Sequence, residues 1–392
     1  FSKLFFDNNT FLVENFREFF ELPGDVSDKK RETNIKSKIE QFRAKSVLEH
    51  EQKINETANI RCVGLTIETR SDYAMLEHAN EFLRMGCTRV ELGIQSVYEG
   101  ALKKIQRGHG TKSNIEAIKI LKDLGFKLNF HVMLGLPGVN REEDIDGVKT
   151  LFTDARYKPD MLKIYPCMVV KDSKLYEDYV NGNFVPITTQ EAADIIVAAK
   201  PYIEKYCRIM RVQRDIPTYM TVAGVDRTNL RQYVKDEMKK KQVVCNCIRC
   251  REYGQKMPGK NIENPTLNVQ EYMASEGKEF FISYDNAEYD ALLGFIRLRF
   301  PGQTLREEIT KNSAIVRELH VYGTALGLQP AGNKVKSGQH KGFGQQLLEK
   351  AEQIAKENGK DKVVVISGVG VRGYYRKRGY EREGPYMVKY LT

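Results

Sequence analysis

Along residues 61–166, short apolar runs alternate with helix-periodic runs, and no other feature restricts the fold of this chain as strongly. Residues 61–70 (RCVGLTIETR) read as a buried strand ending in polar groups, and residues 88–95 (TRVELGIQ) as a second. A third, 128–134 (LNFHVML), is closed by Gly-Leu-Pro-Gly at 135–138, and 161–166 (MLKIYP) is a fourth. Helical stretches at 73–85, 114–124 and 144–154 separate them. Alternation at a pitch of roughly thirty to forty residues implies βα units and a parallel sheet or barrel, because parallel strands need a crossover between them. Polar residues cluster where these strands end: Glu68, Thr69, Arg70, Gln95, Ser96, His131 and Lys163. That edge carries the chemistry of parallel α/β folds. Each residue alone has a plainer reading. Glu68 and Arg70 can pair, Gln95 can satisfy a backbone amide, and His131 can be a hydrogen-bonded strand histidine.

The chain has 392 residues, enough for two domains with a small insert. It has no apolar run long enough to cross a bilayer, so no membrane association is expected. Seven cysteines, an odd number with three bunched, argue for a reducing, cytoplasmic setting and against a disulfide framework. A net charge of +10 favours a polyanionic partner over the plainer reading of a modestly basic enzyme.

Near the C-terminus, Gln339-His-Lys-Gly-Phe-Gly344 opens an amphipathic helix at 345–357. Glycines let a ligand approach the backbone, and free N–H groups at a helix start attract phosphate oxygens. Gln-x-x-Gly-x-Gly in this position is the pyrophosphate pattern of acetyl-CoA-dependent acetyltransferases, although any surface helix can open on a Gly-rich turn. Strand-like runs at 292–300 and 314–322 precede the loop. A strand at 362–367 and the stretch Arg372-Gly-Tyr-Tyr-Arg-Lys-Arg-Gly-Tyr380 follow the helix. This element order is that of the acetyltransferase fold. It puts the pyrophosphate on Lys341, Gly342, Phe343, Gly344 and Gln345, and the thioester end along Glu318, Leu319, His320 and Val321. Tyr375 is then placed to bind acetyl-CoA and to protonate the departing sulfur, with Tyr374 the weaker candidate and His320 a candidate base. Aromatic packing is the alternative for both tyrosines, and strand alternation can turn His320 into the core.

Between these regions, Cys245-Asn-Cys247-Ile-Arg-Cys250 brings three sulfurs within six residues. Thiolates so close need a cation, and the spacing suits one Zn²⁺ in a tight knuckle, with a fourth ligand from elsewhere; free surface thiols and part of an iron–sulfur centre are the other readings. Arg208, Arg211, Arg214, Arg231, Lys235, Lys239, Lys240, Lys241, Arg249 and Arg251 surround it, with Tyr233 and Tyr253 among them. Such a set can neutralise phosphates and stack on unpaired bases, although a charge run is more often a solvated face.

The strings CVGLTIETRSD (62–72), GCTRVELGIQSVYE (86–99), RGH (107–109), LKIYP (162–166), RVQRDIP (211–217) and RELHVYG (317–323) resemble the catalytic subunit of Elongator. So do QHKGFGQQLLEKAE (339–352) and ISGVGVRGYYRKRGYEREGPYM (366–387). The resemblance runs from about residue 61 to the end. It implies an α/β chain in which a partial parallel radical-SAM barrel precedes a GNAT-type α+β domain, in an archaeal or bacterial single-chain form. The expected limits are 1–240 for the barrel region, 241–265 for a Cys-rich zinc-binding linker and 266–392 for the acetyltransferase-like domain. The implied function is carboxymethylation of the wobble uridine of tRNA, with acetyl-CoA as donor and S-adenosylmethionine held by Gln95 and Ser96. The implied partners are tRNA, acetyl-CoA and, in a eukaryotic source, other Elongator-type subunits. A 4Fe-4S cluster is also implied, but no cysteine precedes Cys62, and Cys62 and Cys87 are too far apart to supply its motif. The cluster region is therefore expected to be missing or incomplete in residues 1–60, which fit the family poorly. Two readings compete: a protein lysine acetyltransferase with an acidic or chromatin substrate, and a non-catalytic tRNA-binding scaffold.

Overall fold

The structure is a computed structural model that describes every residue except 1, 8–9, 26, 44, 214–219, 259–263, 323–341 and 392. Its contacts define two units, Phe1–Gly64 with Gly368–Tyr374, and Leu65–Ser367 with Tyr375–Thr392. This division differs from the limits expected from sequence, because the barrel and the C-terminal sheet share one hydrophobic core.

The first unit is helical where its sequence is polar. Helices α1 (Val13–Phe19), α2 (Lys29–Gln41) and α3 (Leu48–Thr57) follow a two-residue hairpin. The Asp28 carboxylate caps α2 by accepting from the Lys30 and Arg31 N–H groups.

In the second unit, β1 (Leu65–Thr69), β2 (Cys87–Gln95), β3 (Lys127–Leu134), β4 (Met161–Pro166) and β5 (Arg208–Arg211) form a parallel sheet in that order. Helices α4 (Leu76–Arg84), α5 (Glu99–Lys104), α6 (Thr111–Asp123), α7 (Arg141–Thr153) and α8 (Thr189–Ala199) cross between them. Strands β2 and β3 are buried almost throughout, hence their near-continuous apolar reading. Reciprocal capping boxes, Asn140 with Glu143 and Thr188 with Glu191, start α7 and α8. Short helices follow, among them α9 (Leu230–Lys240) and the single turn α10 (Ile248–Arg251).

The second sheet contains β6 (Thr266–Ala274), β7 (Gly277–Asn286), β8 (Ala291–Phe300), β9 (Ser313–Val321), β10 (Lys362–Val365), β11 (Glu381–Glu383) and β12 (Tyr386–Tyr390). Helix α11 (Phe343–Glu357) lies between β9 and β10 in the chain, and α12 (Arg372–Arg376) precedes β11. The spatial order is β6-β7-β8-β9-β10-β12-β11, antiparallel except for β9 and β10. Those two pair only from Ser313–Lys362 to Val316–Val365 and then part. A β-bulge marks the same point: Arg297 of β8 faces Glu318 and Leu298 faces Val316, leaving Arg317 without an opposite residue. From Arg317 to Val321, β9 is paired on its β8 side alone among the described residues.

A buried ionic lattice joins the two sheets. Arg317 binds both oxygens of Asp160, at 2.6 and 2.8 Å, and Glu279 at 3.1 Å. Arg299 bridges Asp123 at 2.5 Å and Glu279 at 3.0 Å. Arg297 donates to Glu318 at 2.9 Å and lies 3.5 Å from Asp160. Lys122 stands 3.9 Å from Glu279 and 4.0 Å from Asp160, with no hydrogen bond to its ammonium. Four cations thus face four carboxylates, of which Asp123, Asp160 and Glu279 are fully buried, so each charge depends on its partners.

Candidate functional site

A cleft of about 760 Å³ opens at the C-terminal edge of the parallel sheet, lined by Glu68, Gln95, Arg107, His131, Lys163 and Arg211 among others. Side chains two apart on a strand share a face, which brings Glu91 on β2, His131 on β3 and Lys163 on β4 together. The Glu91 carboxylate meets His131 Nε2 at 2.8 Å and also accepts from Lys163 Nζ. Burial alone would raise the Glu91 pKa, but the hydrogen bonds from His131 and Lys163 bring it down to about 2. His131 Nδ1 lies 3.4 Å from Glu68, so a carboxylate faces each ring nitrogen. Glu68, Glu91 and His131 are close enough to share a cation, but the Lys163 ammonium already occupies the Glu91 carboxylate. His131 is therefore the hydrogen-bonded strand histidine of the plainer reading.

Gln95 ends β2 in a left-handed conformation, φ 61°, and lines the cleft. Ser96 does not. It is buried beside the cleft, and its Oγ accepts the Tyr98 N–H at 3.1 Å. Arg107 belongs to the RGH string, which by itself assigns it no role. Its guanidinium donates to the Gly93 carbonyl at 2.9 Å, and its Nε has no hydrogen-bond partner. A Cβ at Gly93 would approach Arg107 Nη2 to 2.3 Å, so glycine there makes room for the guanidinium.

The second candidate site lies where β9 leaves β10. Gly342, φ 77°, begins α11, and its carbonyl accepts the Gln345 N–H at 3.0 Å. The Gln345 amide is therefore already used, which leaves the Phe343 and Gly344 amides at the helix start. Lys341 and the rest of the loop lie outside the described residues. Glu318 is held by Arg297, with Lys127 at 3.9 Å, while Leu319 and Val321 are half-buried. His320 points outward, packed on Phe295 and Tyr322 with centroids 6.0 and 4.5 Å away. Tyr375 is buried edge-on against Tyr380, centroids 5.7 Å apart, and Tyr374 is half-buried.

Cys245, Cys247 and Cys250 converge with their sulfurs within 4.8 Å of one another. Hydrogen bonds from Cys245 and Cys250 hold the Cys247 thiol well below its ordinary pKa, and hydrogen bonding within the trio pushes Cys245 up. A divalent cation would take all three as thiolates. The trio sits at the start of β5: the Ile248 N–H donates to the carbonyl of fully buried Cys207 at 2.9 Å. That is the end of the strand opposite the cleft. If the trio ligates zinc, Cys247→Ser is expected to lower bound zinc from about one equivalent to near zero and to reduce the melting temperature. Full stability with neither zinc nor iron in the parent, by metal analysis, would remove the site.

The basic stretch is not one surface. Arg251 is 2% exposed and binds Asp285 and Asp290, so it leaves the solvated set. Arg208 is committed to Glu252 at 2.9 Å and to the Tyr322 hydroxyl at 3.0 Å, and Arg231 donates to the Met210 carbonyl at 2.9 Å. Both are half-buried, with part of their donor set used inside the fold. Arg211 lines the barrel cleft, Arg249 is half-buried, and Arg214 lies outside the described residues. Lys235, Lys239, Lys240 and Lys241 remain exposed on and just beyond α9, although Lys240 pairs with Glu237 and Lys241 with Asp194. No helix among the described residues is long and apolar enough to cross a membrane.

Residues 27–149 match the radical SAM superfamily, 159–240 the radical SAM C-terminal domain and 248–380 the acetyltransferase (GNAT) family. The first match starts well before residue 61, where the resemblance in sequence begins. The chain is 47% identical over 351 residues to a tRNA uridine(34) acetyltransferase of Methanocaldococcus jannaschii, covering 88% of this chain and 65% of that protein. It is 39% identical over 343 residues to Elongator complex protein 3 of Homo sapiens, covering 86% of this chain and 62% of that protein. The chain therefore spans somewhat less than two thirds of either relative. The solved structure of the archaeal Methanocaldococcus infernus Elp3 with an N-terminal deletion aligns with a TM-score of 0.85 at 45% identity, covering 89% of this chain and 83% of that one. By that likeness in sequence and fold, and with both the radical SAM and the GNAT domain in one polypeptide, the chain belongs to the Elp3 family.

Proposed function

We propose that this protein modifies the wobble uridine of tRNA, drawing on acetyl-CoA at the parting of β9 and β10 and on S-adenosylmethionine in the barrel cleft, to yield a carboxymethyl group on the base. The observation that carries the reading is that the cleft and the parting strands belong to one folded unit. A relative's name supplies the substrate.

Acetyl-CoA fits the second site by its chemistry. The pantetheine arm carries amides that can bond to the unpaired edge of β9 from Arg317 to Val321, and the Phe343 and Gly344 N–H groups can meet the pyrophosphate. Tyr375 is assigned protonation of the departing sulfur, with Tyr374 or His320 as alternates. S-adenosylmethionine fits the cleft, which Gln95 and the cationic Arg107 line. Together with a reduced cluster, it supplies hydrogen abstraction in radical SAM chemistry. The cluster itself does not fit the described residues. The one close cysteine trio among them lies at the opposite strand end, so no step is derived through it. Zinc is assigned to that trio, with Cys207 as the adjacent buried thiol, whose pKa is raised first by burial and then by Cys247. Seven cysteines with no disulfide among the described residues agree with a cytoplasmic setting.

The test is release of coenzyme A from acetyl-CoA with and without a wobble-uridine tRNA. Stimulation by tRNA supports the reading, whereas acetylation of a protein lysine without tRNA dependence would establish the competing acetyltransferase. Changing Lys239, Lys240 and Lys241 together to alanine is expected to weaken all tRNAs alike and to flatten the salt dependence of binding, by about 0.9 in logarithmic slope for each phosphate left without its lysine. An unaltered slope would make those lysines a solvated face.

A further inference from the structure

Strand β9 changes face at its bulge. Before the bulge, Ile315 packs toward the barrel, where a Cβ on Gly125 would come within 3.0 Å of Ile315 Cγ2. After it, Glu318 turns to the barrel instead, with Lys127 of β3 3.9 Å away. Side chains alternate along a strand, so residues 315 and 318 share a face only because Arg317 is the extra residue. Without the bulge, Glu318 and His320 would pass to the other face, and Leu319 and Val321 would face the barrel. The pairing of β9 with β10 also stops here, at Val316. The bulge therefore sets both what faces the barrel and where the free edge of β9 begins.

The run Ser313–Val321 contains neither glycine nor proline, so its local sequence does not ask for a bulge, and side-chain contacts must hold it. Arg317 is anchored on both oxygens of Asp160. Glu318, the other residue of the bulge, is held from two sides. Arg297 stands opposite it on β8 and donates from Nε at 2.9 Å. Arg297 is 1% exposed, lies over the Phe281 and Phe295 rings at 5.3 and 5.1 Å, and donates from Nη2 to the Tyr206 carbonyl at 2.7 Å. It is fixed, so Glu318 must come to it. Lys127 approaches from the first residue of β3, on the barrel side. Burial would raise the Glu318 pKa, but Lys127 and Arg297 hold it below its ordinary value, so the side chain stays a carboxylate.

We infer that Arg297 and Lys127 are positioning residues for acetyl-CoA: they hold Glu318 from the neighbouring strand and from the barrel, keep the bulge in register, and so keep the β9 edge beyond it open to the pantetheine arm. Neither is assigned contact with the ligand. The inference rests on the proposed acetyl-CoA site and adds the residues that shape it. Through Lys127, the barrel becomes part of the acyl-donor site in the other sheet.

The experiment is calorimetry of the full chain with acetyl-CoA, together with hydrogen exchange well below the melting temperature, for the parent, Lys127→Met, Lys127→Arg and Arg297→Lys. Lys127 is half-buried and its ammonium makes no hydrogen bond among the described residues, so Lys127→Met should fold as the parent does. It is expected to weaken acetyl-CoA about threefold, as for a partly exposed ion pair, and Lys127→Arg to keep the parental affinity. Arg297→Lys is expected to weaken it about tenfold, because an ammonium cannot reproduce the fixed fork that joins Glu318 to the Tyr206 carbonyl. In Lys127→Met and Arg297→Lys, exchange should quicken along residues 318–321 and stay parental along β7. If the parent binds acetyl-CoA and these two variants match it within about twofold, whatever their melting temperatures, the residues are structural only and the positioning role is wrong while the acetyl-CoA site stands. If affinity falls but exchange quickens at the start of α11 and not along β9, the effect is not on the edge and the inference is overturned. If the parent binds no acetyl-CoA, both readings fall. If Arg297→Lys does not fold, the contrast between Lys127→Met and Lys127→Arg decides.

Discussion

Arg317→Met is expected to cost about 3–5 kcal/mol of folding stability, because it leaves Asp160 and Glu279 buried without their bidentate partner. Asp160 accepts only from groups inside the protein, including the Leu128 N–H at 2.9 Å, so no water can replace the guanidinium. Lys122→Met also removes one partner of the lattice but should cost less, because the Lys122 ammonium makes no hydrogen bond and stands 3.9 and 4.0 Å from its carboxylates. Burial lowers the Lys122 pKa to about 8, even though Asp160 pulls the other way. An unfolded lysine titrates near 10.4. Between these values the unfolded chain binds more protons than the folded one, so the Lys122 contribution makes stability rise with pH across that window. Lys122→Met should abolish this rise. Denaturant melts of the two variants from neutral pH to about pH 10 check both points, and equal losses from the two substitutions would show that the lattice is not organised around Arg317.

Gly344→Glu is expected to weaken acetyl-CoA binding by about 10² or more, since it sets a carboxylate at the helix start where the pyrophosphate is proposed to sit. The residue is in the first turn of α11, so a helix with unaltered circular dichroism should persist. Calorimetry showing parental affinity would end the assignment of the loop. Tyr375→Phe separates binding from chemistry at the same site. The ring stays packed on Tyr380, so affinity should change little, while tRNA-stimulated coenzyme A release should slow by about 10², as when one preorganised donor is lost. Equal rates would return the ring to packing and pass the role to Tyr374, His320 or water.

Much of the fold was legible because its signals are local. The four strands from Leu65 to Pro166 were located to within a few residues, since the last three are largely buried and so are apolar runs; the first, expected to be buried, has no buried residue and starts only at Leu65. The fifth strand, Arg208–Arg211, was not seen, because two of its four residues are arginines whose partners are distant in sequence. The β6–β7 hairpin escaped for a different reason. Its turn places Ser275 and Glu276 at φ 47° and 63° without the glycine or asparagine that usually advertises such a turn.

The candidate sites divide in the same way. Sequence alone determined that a parallel α/β region with polar strand ends precedes an acetyltransferase-like order of elements, and that three cysteines converge, because periodicity and short spacing fix these features within a few residues. Tertiary structure alone decided which charges are available. Arg208, Arg231 and Arg251 look like phosphate ligands in the chain, but the first two are half-buried and partly engaged by Glu252 and a backbone carbonyl. Arg251 is folded onto Asp285 and Asp290 with a single nitrogen left over. Arg297, Arg299 and Arg317 alternate along ordinary strands and become the lattice between two sheets only when residues distant in the chain are brought against them. Burial and pairing of a charge depend on what the rest of the chain places beside it, and no local pattern encodes that.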